Sequence, residues 1–184
     1  MGRCQNRPRK TLAEGGGDPQ GSKLITWNCK SLNSIISHKK NLDANVLCTC
    51  IVETWNNAFS FNKSKFVFYS TGICTSKGNG AALLAMRKYP STLIFSYKQN
   101  AIGLLINSPI GQILPAGIYI NLNPKYNDFG DITNMISTAI TANSPKYFYI
   151  MGDFNKNESI LTQSLSAKSL QIFAKIPISR RKKG

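Results

Sequence analysis

The run Val46–Val52, VLCTCIV, constrains this chain most, because apart from Thr49 it is apolar throughout. A strand with one solvated face alternates apolar and polar residues. A continuous run instead marks a strand covered on both faces, inside a sheet that is itself sandwiched. The run closes on Glu53-Thr54-Trp55. A carboxylate at the end of so apolar a strand is costly to bury unless a cation or hydrogen-bond donor compensates it. The fold must therefore cover a sheet on both sides and still present polar groups at the strand end.

The rest of the chain alternates strand and helix signals. Leu24–Cys29, Phe66–Tyr69, Ala82–Met86, Leu93–Phe95, Ile102–Ile106, Ile113–Ile120 and Tyr147–Met151 read as strands, bounded by Gly, Pro, Ser and Asn. From Asp131 onward, Ile132, Met135, Ile136, Ala139 and Ile140 fall on one face at helical spacing, with Asp131 as the expected N-cap. Ser164–Lys175 reads as a second helix. Many strands with few helices predict an α/β or α+β fold in which two sheets pack face to face with helices outside. Residues 1–22, rich in Gly, Pro and Arg, read as a flexible tail, 23–175 as one domain and 176–184 as a basic tail.

Hydrophobic residues make up 42% of the 184, enough for a packed core and too many for a disordered chain. No apolar run is long enough for a spanning helix, and the amino terminus lacks a secretory h-region. Asn6 breaks the myristoylation pattern that Gly2 would begin. The five cysteines, Cys4, Cys29, Cys48, Cys50 and Cys74, have no CxxC pair and read as reduced thiols of an intracellular protein. Net charge is +15. Such a surface attracts polyanions, nucleic acid above all, although lysine-rich surfaces also serve only solubility. Arg180–Lys183 has the composition of a nuclear-import signal or a phosphate-binding tail, and equally of a solvated end.

Polar residues recur where the predicted strands end. Asn28 in Thr26-Trp27-Asn28-Cys29 offers an amide. Glu53 closes the central run. Tyr119 lies late in the strand Ile113–Ile120. Met151-Gly152-Asp153-Phe154-Asn155 follows an apolar strand. Taken singly, each has an ordinary explanation as a turn residue, an exposed carboxylate or a core ring. As an ordered set they supply metal and phosphate ligands from rigid positions.

TWNCKSLN, VETW, GIYINLNP and YIMGDFN together resemble the endonuclease/exonuclease/phosphatase superfamily, and within it most nearly the endonuclease domain of non-LTR retrotransposons. The resemblance spans about residues 23–175, and includes Gly78-Asn79-Gly80-Ala81-Ala82-Leu83-Leu84 before an apolar strand. It implies a four-layer sandwich of two packed mixed β-sheets flanked by helices. It implies that Glu53 and Asn28 form the site of a divalent cation, Mg2+ or Mn2+. By the same resemblance Asp153 orients or deprotonates the attacking water, Asn155 bonds the scissile phosphate and Tyr119 braces a phosphate oxygen. Family members carry a further Asp-bearing strand and a Ser-Asp-His element after GDFN. This sequence has no Asp after Asp153, and its only histidine is His38, which reads as a surface residue. The resemblance therefore implies a fold incomplete at its carboxyl end.

The function expected is a metal-dependent phosphodiesterase acting on DNA, weak or inactive without the Ser-Asp-His element. A non-catalytic nucleic-acid-binding remnant of the same fold is the alternative, and a phosphoinositide or sphingolipid phosphodiesterase is a third. The five site residues should converge at one end of the sandwich. Basic residues should gather beside them, with DNA affinity falling steeply as salt is added.

Overall fold

The computed structural model describes residues 23–29, 46–55, 65–71, 80–121 and 129–155. The expected tails, the helix Ser164–Lys175 and His38 lie outside the described residues. Eight strands and one helix are described: β1 (Lys23–Asn28), β2 (Val46–Val52), β3 (Phe66–Ser70), β4 (Ala81–Met86), β5 (Ser91–Tyr97), β6 (Ala101–Ser108), β7 (Gly111–Tyr119), α1 (Phe129–Asn143) and β8 (Tyr147–Asp153).

They form two mixed four-stranded sheets, ordered β1-β2-β4-β3 and β5-β6-β7-β8. In the first, β1 runs parallel to β2, and β4 runs antiparallel to both β2 and β3. In the second, β5, β6 and β7 form antiparallel pairs and β8 joins β7 in parallel. The apolar run thus occupies a central strand, and every residue of β2 is buried. Pro115 has no N–H to give. It falls in the gap of the β6–β7 ladder, between the pairs Gly103↔Ala116 and Ile106↔Ile113.

The sheets pack face to face. Leu47, Cys50, Val52, Leu83 and Ala85 from one meet Ile102, Leu104, Ile106 and Ile113 from the other. Gly117 is a point of close approach: a methyl there would meet Cys50 Sγ at 3.0 Å and Leu83 Cδ2 at 3.2 Å. Burial pushes the Cys50 thiol up to about 12 and raises Cys48 as well, so both act as small apolar side chains. Cys29, Cys48 and Cys50 are buried, reduced thiols.

Helix α1 covers the outer face of the second sheet. Ile132, Ile136 and Ala139 pack with Leu114, Ala116, Ile118 and Ile120. Burying each isoleucine side chain stabilises this layer by about 1.5–3 kcal/mol. Asp131 is not the N-cap. The helix already begins at Phe129, whose ring is buried against the sheet, which places Asp131 inside the first turn. There its carboxylate suits the positive end of the helix dipole and accepts a 2.8 Å hydrogen bond from Tyr97 Oη. No described helix is long and apolar enough to cross a membrane.

Candidate active site at one end of the sandwich

Strand register brings five strand ends to one end of the stack. Asn28 lies opposite Val52, Val52 opposite Ala81, and Tyr119 opposite Asp153. Glu53 follows Val52 directly. The two sheets therefore end together, and their terminal polar side chains face each other across the interlayer space.

Asn28 joins the sheets. Its Nδ2 donates to Glu53 Oε1 at 2.7 Å and to Asp153 Oδ2 at 3.3 Å, so one amide group spans two carboxylates from opposite sheets. The Asn28 amide oxygen makes neither of these bonds. Asp153 Oδ1 accepts the Asn155 backbone N–H at 3.2 Å. Asn155 Nδ2 donates one of its two protons to the Ile120 carbonyl at 2.9 Å. Ile120 N–H donates to Asp153 O at 2.9 Å, which continues the β7–β8 ladder one step past β7.

Tyr119 sits below these groups with 7% of its surface exposed. Burial first, then the Glu53 and Asp153 carboxylates, push its hydroxyl up to about 12. The phenol therefore keeps its proton at neutral pH and can donate it in a hydrogen bond. A folded-state value above the ordinary one of 10 favours folding below pH ~10, and that stability is lost as pH rises through about 12. Tyr119→Phe should accordingly move the midpoint of alkaline unfolding upward. An unchanged midpoint, read by far-UV circular dichroism against pH, would remove this account of the residue.

The backbone is unusual here. Glu53 (φ 56°), Trp55 (φ 46°) and Asn155 (φ 44°) are in the left-handed region. Such conformations cost of order 1–3 kcal/mol each and persist where the surroundings fix them. What fixes the Glu53 turn includes two hydrogen bonds that sequence reading did not anticipate: Thr54 N–H to Gly80 O at 3.5 Å, and Gly80 N–H to Gln99 O at 3.1 Å. In the same way Asn100 O accepts Tyr119 N–H at 2.8 Å. The β5–β6 turn, Lys98-Gln99-Asn100, thus braces both Tyr119 and the strand entry beside Glu53. The only sequence signal for it is the polar interruption between two apolar runs.

The donor set suits a small hard cation. Two carboxylates and an amide oxygen are available. Among the described residues no group of three or more His, Cys, Asp or Glu forms a closed metal cage. Magnesium is commonly held by one or two carboxylates together with water and substrate phosphate, so the two carboxylates fit it.

The expected gathering of basic residues beside this site is not met among the described residues. Only Lys98 lies at this end. Lys23, Lys65, Arg87, Lys88 and Lys146 lie at or just beyond the opposite strand ends.

The fold is shared with solved structures of an endonuclease domain and of a catalytic domain. The chain superposes on the endonuclease domain of TRAS1, a telomere-specific non-LTR retrotransposon, with a TM-score of 0.57 at 13% identity, over 83% of this chain and 74% of that one. It superposes on the Xenopus laevis APE2 catalytic domain with a TM-score of 0.52 at 13% identity, over 72% and 58% of the two chains. A humanized D. rerio TDP2 gives 0.50 at 9% identity, over 82% and 67%. Identities this low establish the fold and nothing finer. No protein-family model and no curated protein matches the sequence.

Proposed function

We propose that this chain is a divalent-metal-dependent phosphodiesterase acting on DNA, of the retrotransposon-endonuclease type. The observation that carries the reading is the Asn28 amide held between Glu53 and Asp153. That contact brings two carboxylates and an amide, a hard-cation donor set, to the end of a fold also seen in an endonuclease domain. The likeness to an endonuclease domain and to the APE2 catalytic domain supports the same class.

Glu53 and Asn28 would hold the cation, Mg2+ or Mn2+. When bound it supplies positive charge to the phosphoryl oxygens. Asp153 takes the proton of the attacking water as the water oxygen bonds to phosphorus. The opposite P–O bond then breaks. Asn155, with a second Nδ2 proton beyond the one given to Ile120, donates to a non-bridging phosphate oxygen. The un-ionised Tyr119 phenol donates to another. The leaving oxygen departs with the electron pair of the broken bond and takes a proton from solvent. A second reading is a binding remnant of the same fold that holds DNA without cutting it.

Nicking of supercoiled plasmid with and without magnesium separates the two. The nuclease reading expects nicking that chelator abolishes. It also expects Glu53→Gln to need at least about tenfold more magnesium for the same rate, the order of effect seen when a metal site loses a supporting group. Plasmid binding with no nicking above a protein-free control selects the remnant. Neither binding nor nicking discards both.

A further inference from the structure

Strand register places one more residue at the mouth of the candidate site. Continuing the β6–β7 pairing one step past Ala101↔Ile118 sets Asn100 opposite Tyr119, and the Tyr119 N–H bond to Asn100 O at 2.8 Å marks that pair. Opposed residues of an antiparallel pair point to the same face, with Cβ atoms about 4.5–5.5 Å apart. Tyr119 packs in the interlayer core, as do Ile102 and Leu104, whereas Ala101 packs in the outer layer with α1. Asn100 therefore points into the interlayer space beside Tyr119. Across the stack β4 packs against β6, β2 against β7 and β1 against β8. The second sheet thus presents Asn100, Tyr119 and Asp153 in a row, facing the ends of β4, β2 and β1. Asn100 lies two strand spacings, about 10 Å, from Asp153.

Asn100 is 6% exposed, and the interlayer face of β6 that continues from it is apolar: Ile102, Leu104 and Ile106. An amide in such a place costs free energy unless it is hydrogen-bonded, and a leucine would fill the space without that cost. The turn does not call for asparagine there either. Asn100 N–H closes it on Tyr97 O at 3.0 Å, but the positive φ falls on Lys98, at 46°. Of its hydrogen bonds to described residues, Asn100 makes both through its backbone, to Tyr97 O and from Tyr119 N–H. The side-chain amide takes part in neither. Lys98, in the same turn, is exposed, with Nζ 5.0 Å over the Tyr97 ring. What the turn offers to the interior of the site is thus a neutral donor rather than a charge.

We propose that Asn100 is a substrate-contacting residue whose side-chain N–H groups donate to the backbone phosphate of the nucleotide next to the scissile one, on the side of the site away from Asp153. The proposal rests on the reading of this site as one that holds phosphodiester. The phosphate attacked by a water at Asp153 occupies the Asp153 end of the row, and a polymeric substrate lying along the row reaches Asn100 with its next unit. A donor to that unit bonds it equally before and during cleavage, so it sets affinity rather than rate. Being neutral, it adds affinity without adding to the salt dependence of binding.

The test uses the full chain, a short fluorescent DNA duplex in chelator with affinity read by anisotropy, and plasmid nicking with magnesium. Asn100→Leu fills the same space without a donor, and Asn100→Ala serves if the leucine variant does not fold. Either should weaken binding at least about tenfold, the scale of one hydrogen bond to a charged group. Either should also raise the DNA concentration for half-maximal nicking by a similar factor and keep the maximal rate, as when uniform binding is lost. The log–log slope of affinity against salt, from about 50 to 200 mM, should stay as it is, because no ionic contact is removed. Asn100→Ser keeps a donor and should bind within about threefold of the wild type. Wild-type affinity in the leucine and alanine variants overturns the proposal. So does a serine variant that binds as weakly as the leucine one, which would make Asn100 a packing residue. So does a lower maximal rate with affinity unchanged, which would put Asn100 at the scissile phosphate. In a wild type that binds without nicking, the loss of affinity alone supports the proposal and its absence overturns it. If the wild type nicks and the variants match it, this contact fails and the nuclease reading stands. If the wild type neither binds nor nicks, both fall.

Discussion

Asp153→Ala should lower magnesium-dependent nicking by about 10²–10⁴-fold, the usual consequence of removing a general base. The fold should survive. Asp153 lies at the very end of β8, and its side chain accepts one bond from Asn28 and one from the Asn155 backbone. Losing such bonds costs about 0.5–1.5 kcal/mol each. Separating the Asp153 charge from Glu53 returns part of that. Thermal unfolding followed by circular dichroism should therefore shift by only a few degrees, as expected for about 1 kcal/mol. Asp153→Asn sharpens the comparison, because it preserves shape and can still accept from Asn155 but cannot take a proton. It should be as inactive as the alanine variant. If Asp153→Asn nicks at the wild-type rate, Asp153 only positions its neighbours and the base must be sought elsewhere.

Much of this site is legible in the sequence for one physical reason. An apolar strand that ends on a single polar residue has few places to put it except the strand mouth. Glu53 after VLCTCIV and Asp153 after YFYIMG are both of this kind. What joins them is not legible, since no pattern says that the Asn28 amide reaches carboxylates 25 and 125 residues away. The strands are read well at their centres and less well at their ends. Leu93–Phe95 carries the apolar signal of β5, but the strand runs Ser91–Tyr97. Its outer residues are polar because an edge strand is partly solvated, and pairing with β6 holds them extended regardless of type. The β8 ladder likewise runs past Met151 to Asp153, held by the parallel partner strand. An aspartate before a periodic run resembles a cap, whereas the buried Phe129 is already helical, so α1 starts ahead of Asp131. The lysines gave no sign of their side, because a surface cation carries no periodic signal that ties it to one strand end.

One residue before Asp153, the expected effect is on the fold. Gly152 has φ 141°, which L side chains rarely adopt, and an added methyl would collide with the Ile118 carbonyl oxygen and lie 2.7 Å from its carbon. Ile118 is the register partner of Gly152 in the parallel β7–β8 pair, so the obstacle is backbone held in a ladder. Relief requires pulling β8 from β7, which separates Tyr119 from Asp153 and disturbs the outer layer that Ile118 forms with α1. Gly152→Ala should therefore cost about 3 kcal/mol or more, combining overpacking with a strained φ. Against a total stability of about 5–15 kcal/mol that is a large share, and it should appear as a clear drop in the urea midpoint. Gly103→Ala is the control. Its added methyl would meet the ring of Phe95, with Cζ at 2.6 Å and Cδ1 at 2.7 Å. A ring at the end of a side chain on edge strand β5 can rotate away, so the cost should be smaller, about 1–2 kcal/mol. Equal losses for the two variants would mean that β8 yields as easily as a side chain. Asp153 would then not be held by the ladder, and the position of the candidate base would rest on its bonds to Asn28 and Asn155 alone.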